Sequence, residues 1–136
     1  MFILGATNRP QDLDEAARRR FARCVYVHLP EAGTRKAILQ KNLKGNQVNI
    51  TENEFDELAK MTDNYSGADL TRLCHEASLL PLRELTLSSI ATVAADSVRQ
   101  ISAQDVRNAM KTIRATVSPQ SLAAFESWNA QYGSVS

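Results

Sequence analysis

Two groups of side chains near the start of the sequence are of types that handle phosphate. Asn8 sits in the run Gly5-Ala6-Thr7-Asn8-Arg9-Pro10, and Arg18, Arg19 and Arg20 stand together just before Phe21. A neutral amide orients a water or a phosphate oxygen without adding charge. A guanidinium stays charged, donates through a planar fork and stabilises charge on a phosphoryl group in transfer. The triplet alone has a plainer reading, a solvated basic helix end favourable against the helix dipole. Other chemistries find fewer reagents. Cys24 and Cys74 are too few for a disulfide framework or a zinc site. Cys74 and His75 are adjacent and so point to different faces, Cys74 to the core and His75 to the surface. His28 stands alone and reads as a strand-surface residue. No metal site is expected.

The elements that position these groups follow from apolar patterning. Phe2-Ile3-Leu4 is an apolar run that stops at Gly5, which predicts a buried strand over residues 2–6 delivering Asn8 to a loop. In open α/β sheets ligands bind at such C-terminal strand ends. After Pro10, Asp12 is expected to cap a short helix with Glu15 three residues on, and that helix ends in the arginines. Residues 24–29, Cys-Val-Tyr-Val-His-Leu, form a second β-rich run closed by Pro30, expected to lie parallel to the first.

From Pro30 onward the patterning is helical. Ile38, Leu39 and Leu43 share a face within residues 31–44, with Gly45 as the stop. Thr51 and Glu54 predict a capping box before Phe55, Leu58, Ala59 and Met61. Ser66 and Asp69 predict another, before Leu70, Leu73, Cys74 and Ala77 at helical spacing. Pro81 is expected to kink or end that helix, and residues 86–100 to form a connector. Ser102 and Asp105 open a helix with Val106, Ala109, Met110 and Ile113 inward, and Ser118-Pro119 opens a terminal helix bearing Leu122, Phe125, Trp128 and Tyr132.

Composition narrows the function classes. With 136 residues, 43% of them hydrophobic, the chain suits one globular domain with a modest core. The formal net charge of +1 gives no global attraction to nucleic acid, and the arginines lack interleaved aromatics. No apolar run reaches membrane-spanning length, and the N-terminus lacks the features of a signal peptide. The expected location is cytoplasmic or nuclear.

The run Gly5-Ala6-Thr7-Asn8-Arg9-Pro10, then Leu13-Asp14-Glu15-Ala16 and Arg18-Arg19-Arg20-Phe21, resembles the second half of an AAA+ ATPase large domain. Tyr65-Ser66-Gly67-Ala68-Asp69-Leu70 resembles the motif that opens a small-domain helix in AAA ATPases. The tail Ser118-Pro119…Trp128-Asn129…Tyr132-Gly133 is similar to that of the meiotic clade, which includes katanin, spastin, fidgetin and the ESCRT-disassembling Vps4 type. Glu15 to Arg20, Leu73-Cys74-His75-Glu76-Ala77-Ser78 and Ile90-Ala91-Thr92-Val93 look most like the fidgetin-like proteins, with spastin next.

The resemblance implies a fold, a chemistry and partners. The fold is an α/β remnant of a P-loop AAA+ large domain, with two parallel strands and a short helix. An all-α lid of about four helices and a C-terminal helix follow. The implied segments are 1–30 for the remnant, 31–115 for the lid and 116–136 for the C-terminal helix. Asn8 is implied as the sensor-1 residue, and Arg19 and Arg20 as arginine fingers acting in trans on nucleotide held by a neighbouring subunit. Gly67 and Ala68 are implied to lie near adenine and phosphates, and Asn42 near the adenine ring. ATP and Mg2+ are the implied cofactors of the full-length protein, a homo-hexamer that remodels or severs polymers such as microtubules of tubulin. The sequence carries no G-x-x-x-x-G-K-[ST] phosphate loop and no strand ending in an acidic pair. It is therefore expected to be a C-terminal piece cut at Met1, inactive alone and without a tightly bound cofactor. The alternatives are a non-enzymatic truncated module that docks on AAA subunits, or a Vps4-type ESCRT disassembly ATPase.

Overall fold

The computed structural model describes residues 2–84 and 98–134. In chain order it has a 3-10 turn over Pro10–Asp12, α1 (Glu15–Arg20), α2 (Ala32–Leu43), β1 (Val48–Asn49), α3 (Glu52–Met61) and α4 (Gly67–Arg83). There follow β2 (Ile101–Ser102), α5 (Ala103–Thr112) and α6 (Pro119–Tyr132). These elements form two compact units, Met1–His28 with Ser118–Ser136, and Leu29–Val117.

In the unit Leu29–Val117 three of the four described helices open on a capping box, and all four place residues in the core. Thr51 Oγ1 accepts the Glu54 N–H while the Glu54 carboxylate accepts the Thr51 N–H at 2.8 Å. The same reciprocal box opens α4 at Ser66 and Asp69. The Ser102 N–H donates to Asp105 at 2.8 Å to start α5. Each box satisfies N–H groups that the first helical turn leaves without partners. Gly45, with φ of +100°, takes the left-handed conformation that reverses the chain after α2. The faces presented by these four helices bury Leu39, Leu43, Leu58, Leu70, Leu73 and Val106 almost completely. Burial of each such side chain contributes about 1.5–3 kcal/mol.

Two features tie this core together without a local signal. β1 and β2 pair in parallel, Val48 against Ile101 and Asn49 against Ser102, so the loop after α2 is pinned to the start of α5. Buried Arg35 donates from Nε to the Ala59 carbonyl at 3.0 Å and from Nη1 to the Pro30 carbonyl at 2.8 Å. That side chain staples α2 to the end of α3. Pro81 lies inside α4, buried on its core face, and the helix runs on only to Arg83. Met61 is exposed, contrary to the inward position its spacing predicts. Most of the expected connector over residues 86–100 lies outside the described residues.

The parallel strands of the structure are not the pair expected from patterning. Residues 2–6 and 24–29 form no helix, and among the described residues neither joins a strand ladder. Phe2 is 88% exposed and Val27 85%. A strand needs a neighbour for its N–H and C=O groups, and a parallel sheet needs cover on both faces. Neither requirement is met among the described residues, so β-propensity alone yields no ladder.

Cys74 is buried in the core, and burial pushes its thiol up to about 12. Cys24 is half-buried in the other unit. A thiol reagent at about pH 8 should label Cys24 alone in the native chain and both cysteines after denaturation. Equal labelling of both under native conditions would contradict the packing of Cys74.

Candidate functional site

The chemistry-bearing residues fall in both units. In the unit Met1–His28 with Ser118–Ser136, the Arg9 N–H donates to Thr7 Oγ1 at 3.0 Å, closing a small turn with exposed Asn8 between them. Pro10 then starts the 3-10 turn, which consumes Asp12, and Asp12 pairs with Arg9 at 2.8 Å. The helix cap is therefore Asp14 in place of Asp12, with Asp14 Oδ1 accepting the Ala17 N–H at 2.6 Å. Proline fixes φ for the turn, and the helix can begin only beyond it.

The three arginines of α1 have three different surroundings. Arg18 lays its guanidinium over the Tyr132 ring, 4.5 Å from the centroid. Arg19 reaches back one turn to Glu15, with 77% of its side chain exposed. Arg20 is exposed and makes no ion pair with the described residues. An exposed i,i+4 pair is worth a few tenths of a kcal/mol, about 0.5 at most, so a desolvated phosphate would draw Arg19 away from Glu15. No described contact joins Asn8 to Arg19 or Arg20.

In the unit Leu29–Val117, the start of α4 is an open N-terminus. Ser66 Oγ accepts the Asp69 N–H at 3.2 Å, and the Ser66 carbonyl accepts the Leu70 N–H at 3.0 Å. The N–H groups of exposed Gly67 and Ala68 have no acceptor among the described residues. A Cβ at Gly67 would meet nothing within 4 Å, so the protein's own packing does not demand glycine there. Asn42 belongs to the same place. Its Nδ2 donates to Thr71 Oγ1 at 3.1 Å, and Thr71 Oγ1 donates to the Gly67 carbonyl at 3.0 Å. Thr71 is thus the link that sequence reasoning missed, although a hydroxyl four residues after Gly67 on a helix was a signal for it.

Asp69 secures this helix start. It is fully buried, which alone would raise its pKa, yet hydrogen bonds hold its carboxyl well below the usual carboxylate range. The donors are the Ser66 N–H and hydroxyl, the Thr116 N–H and hydroxyl, and the Arg72 guanidinium. Asp105 is held down to about 2 by Arg99, against its burial and with help from Ser102. Arg99 also donates to Glu84, joining the end of α4 to the start of α5. Among the described residues no group of three His, Cys, Asp or Glu could hold a metal ion, and no helix is long and apolar enough to cross a membrane.

Two family models match parts of the chain, and one of them is the AAA+ lid domain. Residues 52–96 match the AAA+ lid domain, and residues 83–133 match the Vps4 C terminal oligomerisation domain. The chain is 45% identical over 133 residues to fidgetin-like protein 1 of Homo sapiens, covering 98% of this chain and 20% of that protein. It is 43% identical over 134 residues to spastin of Nematostella vectensis, covering 98% of this chain and 22% of that protein. A crystal structure of the FIGL-1 AAA domain in complex with ADP superimposes with a TM-score of 0.93 at 40% identity, over 96% of this chain and 44% of that one. A structure described as the structural basis for katanin self-assembly gives 0.76 at 28% identity, over 88% of this chain and 43% of that one. The chain thus spans about a fifth of the length of these curated relatives.

Proposed function

We propose a function for what the chain carries, the C-terminal part of an AAA+ module of the fidgetin-like and spastin type. It supplies a neighbouring subunit with the arginines that stabilise phosphoryl transfer, and it supplies a lid that covers nucleotide. Arg19 and Arg20 are the trans-acting fingers, Asn8 is the sensor of the γ-phosphate, and Gly67, Ala68 and Asn42 face the nucleotide from the lid. The segments doing this are the large-domain remnant over 1–30, the lid over 31–115 and the C-terminal helix over 116–136. The parent protein is an ATP hydrolase working as a homo-hexamer on a polymer, with microtubules assigned from the resemblance to spastin and the fidgetin-like proteins.

The observation that carries this reading is the state of Arg19 and Arg20. They end a capped helix and both are exposed. Exposed guanidinium groups placed that way are within reach of a phosphate that a docked neighbour presents. Alone, the chain is expected to turn over no ATP. ATP, when bound in the assembly, supplies the phosphoryl group. What this chain does is donate hydrogen bonds and positive charge, and open or close its helical unit. The match to the Vps4 oligomerisation domain and the relative crystallised with ADP support the partner and the ligand.

The lid half of the proposal is tested by amide spectra of the chain with millimolar ADP. Gly67, Ala68 and the Asn42 side-chain amide should shift. Gly67→Ala should raise thermal stability by about 0.4–1 kcal/mol, because the native backbone there has room for a methyl group and the unfolded chain loses freedom. The same methyl group occupies the ligand's space, so the ADP-induced shifts should shrink. Wild-type spectra that ignore ADP would overturn the lid's role.

A further inference from the structure

The finger helix is held at two points by the end of the chain. In its last turn, Arg18 lies over the Tyr132 ring at 4.5 Å, and Trp128 packs against the same ring at 5.4 Å between centroids. On its C-terminal side, the Cys24 N–H donates to Ser134 Oγ at 3.1 Å, and the Ser134 N–H donates back to the Cys24 carbonyl at 2.9 Å. Arg19 and Arg20 lie between these two anchor points. They are exposed, while Arg18 is half-buried. All of these residues belong to one compact unit.

We infer that Tyr132 and Ser134 are positioning residues for the arginine fingers. The idea rests on the trans-acting role of Arg19 and Arg20 proposed above. Tyr132 fixes α1 about its own axis by holding Arg18, because Arg18 and its two successors leave a short helix in directions set by one rotation. Ser134 fixes where the chain leaves that helix. A ring under a guanidinium keeps its attraction in a partly wet site, and only the aromatic face is needed for it. The C-terminal helix therefore acts on the reaction through α1. Displacing α6 would leave the fingers present but misaimed, and small misplacements of a catalytic group are costly.

The test uses AAA subunits of a relative from which the finger arginines have been removed, titrated with the full chain while ATP turnover is followed. Docking is read from the midpoint of the titration and finger alignment from its plateau. Tyr132→Leu should lower the plateau about tenfold or more, leaving the midpoint and the KM for ATP unchanged. Tyr132→Phe keeps the aromatic face and should restore the plateau. Ser134→Pro removes the N–H that meets Cys24 and should lower the plateau as Tyr132→Leu does. An unchanged plateau with Tyr132→Leu, or a shifted midpoint with an unchanged plateau, would overturn the inference while leaving the fingers' role intact. Failure of the wild-type chain to restore any turnover would overturn the finger role itself and this inference with it.

Discussion

Removing both Arg19 and Arg20 should abolish the chain's support of ATP turnover by neighbouring subunits, a loss of about 10³-fold or more. The magnitude follows from what a guanidinium does at a phosphoryl group. It meets charge spread over three equatorial oxygens with a planar set of donors, in a site from which the neighbour's docking excludes water. Arg20, without an ion-pair partner among the described residues, has nothing to give up on engaging phosphate. Arg19 must leave Glu15, an exposed contact of little worth. Arg20→Ala alone is therefore expected to cost more than Arg19→Ala. Arg20→Lys should recover little, because an ammonium is a point charge and cannot reproduce the fork. Lost turnover must come with unchanged circular dichroism, since neither side chain is buried. Retained turnover in the double variant would remove the fingers from the mechanism.

Asp69→Ala should be the most damaging substitution for stability, at about 3 kcal/mol. The cost has three parts. The Ser66–Asp69 box at the start of α4 is lost. Thr116, which donates its N–H and hydroxyl to this carboxylate, loses its anchor, and with it the segment between α5 and α6. Arg72 is left without its buried partner. For a helical unit of this size the loss lowers the melting temperature by about 10–20 °C. Asp69→Asn should be nearly as harmful, because its one amide oxygen can replace Oδ2, which accepts the Ser66 and Thr116 N–H groups, only by turning the amide NH2 toward the Arg72 guanidinium that Oδ1 accepts. The pH dependence has a definite sign. Asp69 and Asp105 both have folded pKa values below the unfolded value of about 3.9, so their stabilisation is complete above about pH 5. It is lost as pH falls through their folded values, near and below about 2. Melting temperature should fall on acidification from about pH 5, and less steeply in Asp69→Asn. A melting temperature independent of pH over that range would contradict the role of the two carboxylates.

The parts of this fold that were legible in the sequence are those set by residues within one helical turn of each other. Thr51 with Glu54, Ser66 with Asp69 and Ser102 with Asp105 announce helix starts because the bonding partners are three residues apart. Leu70, Leu73, Cys74 and Ala77 announce a buried face for the same reason, and all four are in the core. What stayed hidden is pairing at a distance. β1 and β2 are two residues each, too short for any alternation to register, and they meet only because α4 and α5 have packed. The capping role of Asp69 could be read, but not its second role as acceptor for Thr116. Arg35 reads as an ordinary helix cation and is in fact a buried staple.

The candidate site divides in the same way. Asn8, Gly67, Ala68, Arg19 and Arg20 were singled out by residue type and motif, and their exposure suits ligand contact. The link from Asn42 through Thr71 to Gly67 joins α2 to α4 and needs the fold to appear. The hold of Tyr132 on Arg18 joins the two ends of the sequence. At the start of the chain the reading went astray for a physical reason. Residues 2–6 and 24–29 have strand-forming side chains, but propensity describes a fit to neighbours and cannot supply them.

The measurement that bears most directly on the central claim is complementation in trans. Full-length subunits of a fidgetin-like or spastin relative, stripped of their finger arginines, are mixed with this chain and ATP turnover is followed against chain concentration. The expected result is a saturable rise in turnover that disappears when Arg19 and Arg20 are both replaced by alanine. No rise at any concentration, with the chain shown to be folded by circular dichroism, would contradict the claim that this segment supplies working fingers to a neighbour.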